Sequence, residues 1–132
     1  KKDTNDTRES AAIYVAWELL QDKAEVHVFD PKVSKDQVYN DIKKLLARHS
    51  IYQTENDDIL GSLFVHDNPN SALRNAHAIA VLTEWDEFVT YDWKAIYSDM
   101  LKPAFIFDGR NILNAHLLRE IGFEYKGIGK GL

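Results

Sequence analysis

Apolar positions near the start of the chain recur at helical spacing. Ala12, Ile13, Ala16, Trp17, Leu19 and Leu20 fall at three- and four-residue intervals and define one buried stripe. Asp6-Thr7-Arg8-Glu9 has the spacing of a capping box, so a helix is expected to start there. The period then changes to two in Glu25-Val26-His27-Val28-Phe29, a short strand that ends at Asp30-Pro31, where proline cannot continue a ladder. Ser34-Lys35-Asp36-Gln37 is a second capping box, and Val38, Ile42, Leu45 and Leu46 place one apolar face on the helix behind it. From Ser50 to Gly61 the sequence turns polar and acidic and reads as a surface excursion.

The second half continues the alternation. Leu63-Phe64-Val65 reads as a strand, and Asn68-Pro69 opens a short helix through Ala72, Leu73 and Ala76, with proline suited to its first turn. His77 to Leu82 and Ala104 to Phe107 are apolar nearly throughout, the composition of strands buried on both faces. Between them a helix is expected from about Asp92 to Leu101. A last helix from Asn114 to Glu120 stops at Gly122, and a final strand runs through Phe123 and Tyr125.

Helices and strands thus alternate in strict succession, the order that builds a mostly parallel sheet with helices on both faces. The expected class is α/β, a Rossmann-like three-layer domain over residues 1–132 without internal repeats or linkers. One position in that pattern is vacant. A doubly wound domain in the order 3-2-1-4-5-6 begins with its central strand, whereas this sequence begins with a loop and a helix. The strands near Val28 and Val81 would then lack their shared neighbour, leaving unpaired backbone groups, and the piece is expected to fold poorly alone.

Composition narrows the function classes. Sixteen Lys and Arg against 21 Asp and Glu give a net charge of −5, which argues against a broad basic surface for nucleic acid. No apolar run approaches the roughly 18 to 20 residues of a membrane span, so a soluble protein is expected. The absence of Cys removes disulfides, thiolate metal sites and thiol nucleophiles, and fits a reducing, cytoplasmic compartment. The opening Lys1-Lys2-Asp3-Thr4, without initiator Met, signal segment or tag, reads as a chain cut from something longer.

In doubly wound sheets ligands lie outside the carboxyl ends of the strands, which directs attention to the residues following each one. Asp108-Gly109-Arg110 directly follows Phe107; the glycine permits a tight turn, and a guanidinium there suits bidentate recognition of phosphate. The same placement suits a turn whose arginine pairs with a neighbouring acid. Arg8 sits at a predicted helix start, where the dipole disfavours a cation; with Lys1 or Lys2 it could form an anion site, or it could pair with Asp3, Asp6 or Glu9. Trp85 in Thr83-Glu84-Trp85-Asp86 reads as core, while Glu84 and Asp86 read as caps or solvated charges. The five His residues show no metal-ligand spacing, and neither Gly-x-Gly-x-x-Gly nor a P-loop occurs.

Five segments in one order carry a resemblance: Lys1 to Ser10, Val28-Phe29-Asp30-Pro31-Lys32-Val33, Ala76-His77-Ala78, Leu82 to Asp86, and Leu101 to Arg110, extended by Ile121-Gly122-Phe123. Together they resemble the C-terminal, UDP-binding domain of the nucleotide-sugar dehydrogenase family, and most closely its UDP-glucose 6-dehydrogenase members. The resemblance implies an NAD-dependent oxidation of UDP-glucose to UDP-glucuronate in two steps, through a thiohemiacetal and thioester on a cysteine that lies, with the NAD domain, earlier in the family's chain. It implies that Lys1 and Arg110 contact the UDP-sugar and that Arg8 reaches NAD, from a neighbouring subunit of a homo-oligomer in some members. No catalytic residue and no metal ligand is expected in these residues, so the piece alone is expected to be inactive. The other expectations kept open are a relative acting on a UDP-N-acetylhexosamine or GDP-mannose, and a non-catalytic nucleotide-binding or assembly module.

Overall fold

The computed structural model describes residues 11–49 and 59–127. The chain divides into two units, one ending at Ala72 and one beginning at Leu73.

In the first unit, helix α1 (Ala11–Gln21) buries Ile13, Ala16, Trp17 and Leu20, while Leu19, off that stripe, is exposed. Strand β1 (Val26–Val28) follows, then α2 (Lys35–His49), whose start is capped as its sequence predicts, the Gln37 N–H donating to Ser34 Oγ at 3.1 Å. Strand β2 (Leu63–Val65) pairs parallel with β1 in the register Val26–Leu63, His27–Phe64, Val28–Val65. Val38, Ile42, Leu45 and Leu46 of α2 join the α1 stripe, Leu63 and Val65 in one core. The Tyr39 hydroxyl ties α2 to β2 by donating to the Leu63 carbonyl at 2.9 Å. A short helix α3 (Pro69–Leu73) begins where Asn68 Oδ1 accepts the Ser71 N–H.

The second unit is a three-stranded parallel sheet in the order β3 (Ala78–Val81), β4 (Phe105–Asp108), β5 (Glu124–Gly127). A 3₁₀ turn over Asp86–Thr90 precedes α4 (Trp93–Asp99), capped by Asp92. Helix α5 (Ala115–Ile121) is capped by Asn114 and ends at Gly122, whose φ of 131° is one that L side chains rarely adopt. Ile79, Val81, Ile106 and Tyr125 pack with Trp93, Ile96, Leu118 and Phe123 on the helix-covered face.

The expectation of strands buried on both faces does not hold for β3 and β4. Their burial alternates: Ala78, Ala80 and Phe107 are exposed while Ile79, Val81, Ile106 and Asp108 are buried. Among the described residues of this unit, the helices pack on the face of Ile79, Val81 and Ile106, and Phe107 on the other face is 46% exposed. Among the described residues β1 pairs with β2, and β3 pairs with β4.

Candidate functional site at the end of strand β4

Register brings the carboxyl ends of the three strands level, with Val81 beside Asp108 and Asp108 beside Gly127. The chain leaves β4 through a turn that Asp108 organises. This carboxylate is 1% exposed, and a buried carboxylate needs donors to offset its lost hydration. Oδ1 accepts the Arg110 N–H at 3.2 Å; Oδ2 accepts the Leu113 N–H at 2.9 Å and the Tyr125 hydroxyl at 2.8 Å. On the other side, the Gly109 N–H donates to the Val81 carbonyl at 2.9 Å, fixing the turn to β3. Asn111 takes a left-handed φ of 56°, a conformation asparagine tolerates better than most residues.

This turn presents Arg110 with its side chain 36% exposed. Its guanidinium Nη2 donates to Oε1 of Glu84, just beyond β3, so the acid-paired alternative considered for this arginine is the arrangement present. Such a half-exposed pair is worth little, about 0–1 kcal/mol, and leaves the remaining donors of the fork for another anion. Trp85, next to Glu84, is 3% exposed, as a core indole should be. Asp86 begins the 3₁₀ turn. Lys1 and Arg8 lie outside the described residues.

Tyr125 supports the arrangement from β5. Burial, then its hydrogen bond to Asp108 and that carboxylate's charge, push its hydroxyl up to about 12 from an ordinary 10.0, partly opposed by Arg119. The hydroxyl therefore stays protonated and donating across the physiological range. Sequence reasoning singled out the Asp108-Gly109-Arg110 turn but missed the Asp108–Tyr125 bond. The available signal was period-two alternation, which puts Asp108 on the same buried face as Ile106.

A second polar chain, which no spacing in the sequence predicts, spans the first unit. Protons can be assigned so that Ser71 Oγ donates to His66 Nδ1 at 3.0 Å, His66 Nε2 to His27 Nδ1 at 2.7 Å, and His27 Nε2 to Glu25 at 2.7 Å. His27 also stacks on Phe64 with centroids 4.9 Å apart. Burial, then the neighbouring His27 and Lys35, lower the pKa of His66 from 6.5, with Asp67 opposing, so the neutral form of His66 is favoured. Among the described residues no group of three or more His, Asp or Glu could hold a metal ion, and no helix is long and apolar enough to cross a membrane.

Residues 1–115 match the model of the UDP-glucose/GDP-mannose dehydrogenase family, UDP binding domain. The chain is 47% identical over 135 residues to UDP-glucose 6-dehydrogenase 4 of Arabidopsis thaliana, covering 100% of this chain and 28% of that protein. To UDP-glucose 6-dehydrogenase of Drosophila melanogaster it is 44% identical over 130 residues, covering 98% of this chain and 26% of that one. It thus spans about a quarter of the length of these curated relatives. Among solved structures, an NDP-N-acetyl-D-galactosaminuronic acid dehydrogenase from Methanosarcina mazei Go1 shares the fold at a TM-score of 0.51 and 20% identity, over 91% of this chain and 29% of that one.

Proposed function

Given that the chain belongs to the UDP-glucose/GDP-mannose dehydrogenase family through its UDP binding domain, we propose that it holds UDP-glucose within an NAD-dependent UDP-glucose 6-dehydrogenase. The observation that carries this reading is Arg110, offered at the carboxyl end of a parallel strand by a turn anchored on a buried carboxylate. A planar, always-charged fork there suits the pyrophosphate of UDP. Lys1 is assigned to the same ligand and Arg8 to NAD.

The proposed reaction takes the sugar's primary alcohol to a carboxylate, transferring four electrons to two NAD and taking one oxygen from water. This chain has no cysteine to carry the covalent intermediates. It also has no glycine-rich dinucleotide fingerprint, so the main NAD site and the thiol are assigned to the rest of such a polypeptide. Residues 1–132 are assigned as the C-terminal, UDP-binding domain of that polypeptide. A cytoplasmic homo-oligomer is part of the same proposal; the absence of cysteine is consistent with that compartment.

Calorimetric titration with UDP tests the assignment. Removing a charge-assisted contact of about 1.5–3 kcal/mol should weaken UDP binding by Arg110→Ala about 10- to 100-fold. Unchanged affinity in a folded variant would overturn it. The chain by itself should produce no NADH from UDP-glucose and NAD.

A further inference from the structure

We propose that Asp108 and Tyr125 are positioning residues for Arg110, setting the affinity for a nucleoside diphosphate through the turn that carries the guanidinium. The inference rests on the reading of Arg110 as the phosphate contact. Both ends of the turn are tied to one carboxylate, because Oδ1 takes the N–H of Arg110 and Oδ2 the N–H of Leu113. Within Gly109 to Leu113, Arg110 is the only charged residue, so the cation is the one charge that this anchoring orients.

The carboxylate is itself held from the neighbouring strand. Tyr125 pairs in register with Ile106, two residues before Asp108 on the same face of β4, and its hydroxyl closes the diagonal to Oδ2 at 2.8 Å. Without that third donor, Oδ2 is free to rotate off the Leu113 N–H, and the turn gains alternative conformers. A binding-competent fraction below one weakens apparent affinity in proportion. A leucine or valine at the strand end would fill the core without the cost of burying a carboxylate. What an acid adds at this position is acceptance from the turn's N–H groups.

The test is a double-mutant cycle in the full polypeptide that carries this domain, reading UDP affinity by calorimetry at a temperature well below unfolding. Tyr125→Phe should weaken UDP binding about 3- to 10-fold, and Asp108→Asn, which replaces an acceptor oxygen by a donor, by more. In an Arg110→Ala background neither should weaken it further. A purely structural role would lower thermal stability and leave UDP affinity unmoved, or lower affinity equally in both backgrounds; either result overturns the positioning role. If Arg110→Ala alone leaves affinity unchanged, the phosphate reading fails and the positioning role fails with it. If Arg110→Ala weakens binding while Tyr125→Phe and Asp108→Asn do not, only the positioning role fails.

Discussion

Substituting Tyr125 by Phe removes one oxygen and leaves the ring in the core, so its energetic consequence is that of the one hydrogen bond lost. The lost bond is a neutral hydroxyl donating at 2.8 Å to a carboxylate that is 1% exposed. Hydrogen bonds to charged groups contribute about 1.5–3 kcal/mol net. The hydroxyl is also pushed from 10.0 up to about 12 in the fold, by burial first and by its bond to Asp108 second. At 1.36 kcal/mol per unit, that displacement corresponds to about 2.7 kcal/mol of stability lost once the group ionises. Because the folded pKa lies above the unfolded one, this stability is fully present below pH 10 and is lost as pH rises towards 12. Urea denaturation of the chain and of Tyr125→Phe should therefore differ by about 2–3 kcal/mol at pH 8, and the gap should narrow sharply by pH 11.5. Subtracting the tyrosinate absorbance titration of the variant from that of the parent isolates this one of six Tyr. A stability gap that is equal at the two pH values, or a difference titration centred near 10, would refute the reasoning.

Two further substitutions probe other parts of the structure. Replacing Gly122 with Ala puts a side chain at φ 131° and a Cβ 2.6 Å from the Tyr97 hydroxyl. Tyr97 has little room to move, since Phe123 meets its ring edge-on at 5.1 Å and Lys102 Nζ lies 4.2 Å above it. A loss of about 2–4 kcal/mol is expected, measured as a lower urea midpoint, and a variant within 0.5 kcal/mol (about the spread of neutral surface changes) would contradict it. For His66 the folded pKa is lowered, so the unfolded chain takes up its proton first and stability declines as pH falls below about 6.5. His66→Phe should flatten the loss in stability between pH 7 and pH 5 relative to the parent; identical slopes would contradict the lowered pKa of His66.

Periodicity locates the strands and the α-helices of the described residues. Val38, Ile42, Leu45 and Leu46 are buried because a 3.6-residue period leaves them no other face, and Gly122 stops α5 because it reaches a φ that side chains resist. What pattern could not supply was the environment across a sheet. His77 to Leu82 looks doubly buried in sequence, yet coverage depends on which helices pack over a face, information held far along the chain. The site divides in the same way. Arg110 was legible from its place after a strand, since strand ends are where parallel sheets bind ligands. Tyr125 and the His27–His66 contact were not, because the first acts through a partner 17 residues away and the second joins positions 39 apart.

The uncovered side of the second unit's sheet has a calorimetric meaning. Ala78 and Ala80 stand beside Phe105 and Phe107, whose rings stack at 6.2 Å, and Phe107 is 46% exposed. Apolar area already in water before unfolding adds nothing to the heat capacity released on melting, so this unit should unfold with a smaller ΔCp and a shallower denaturant slope than its length suggests. Whatever layer comes to cover those rings should raise both quantities together, which makes ΔCp a direct gauge of whether that face is occupied.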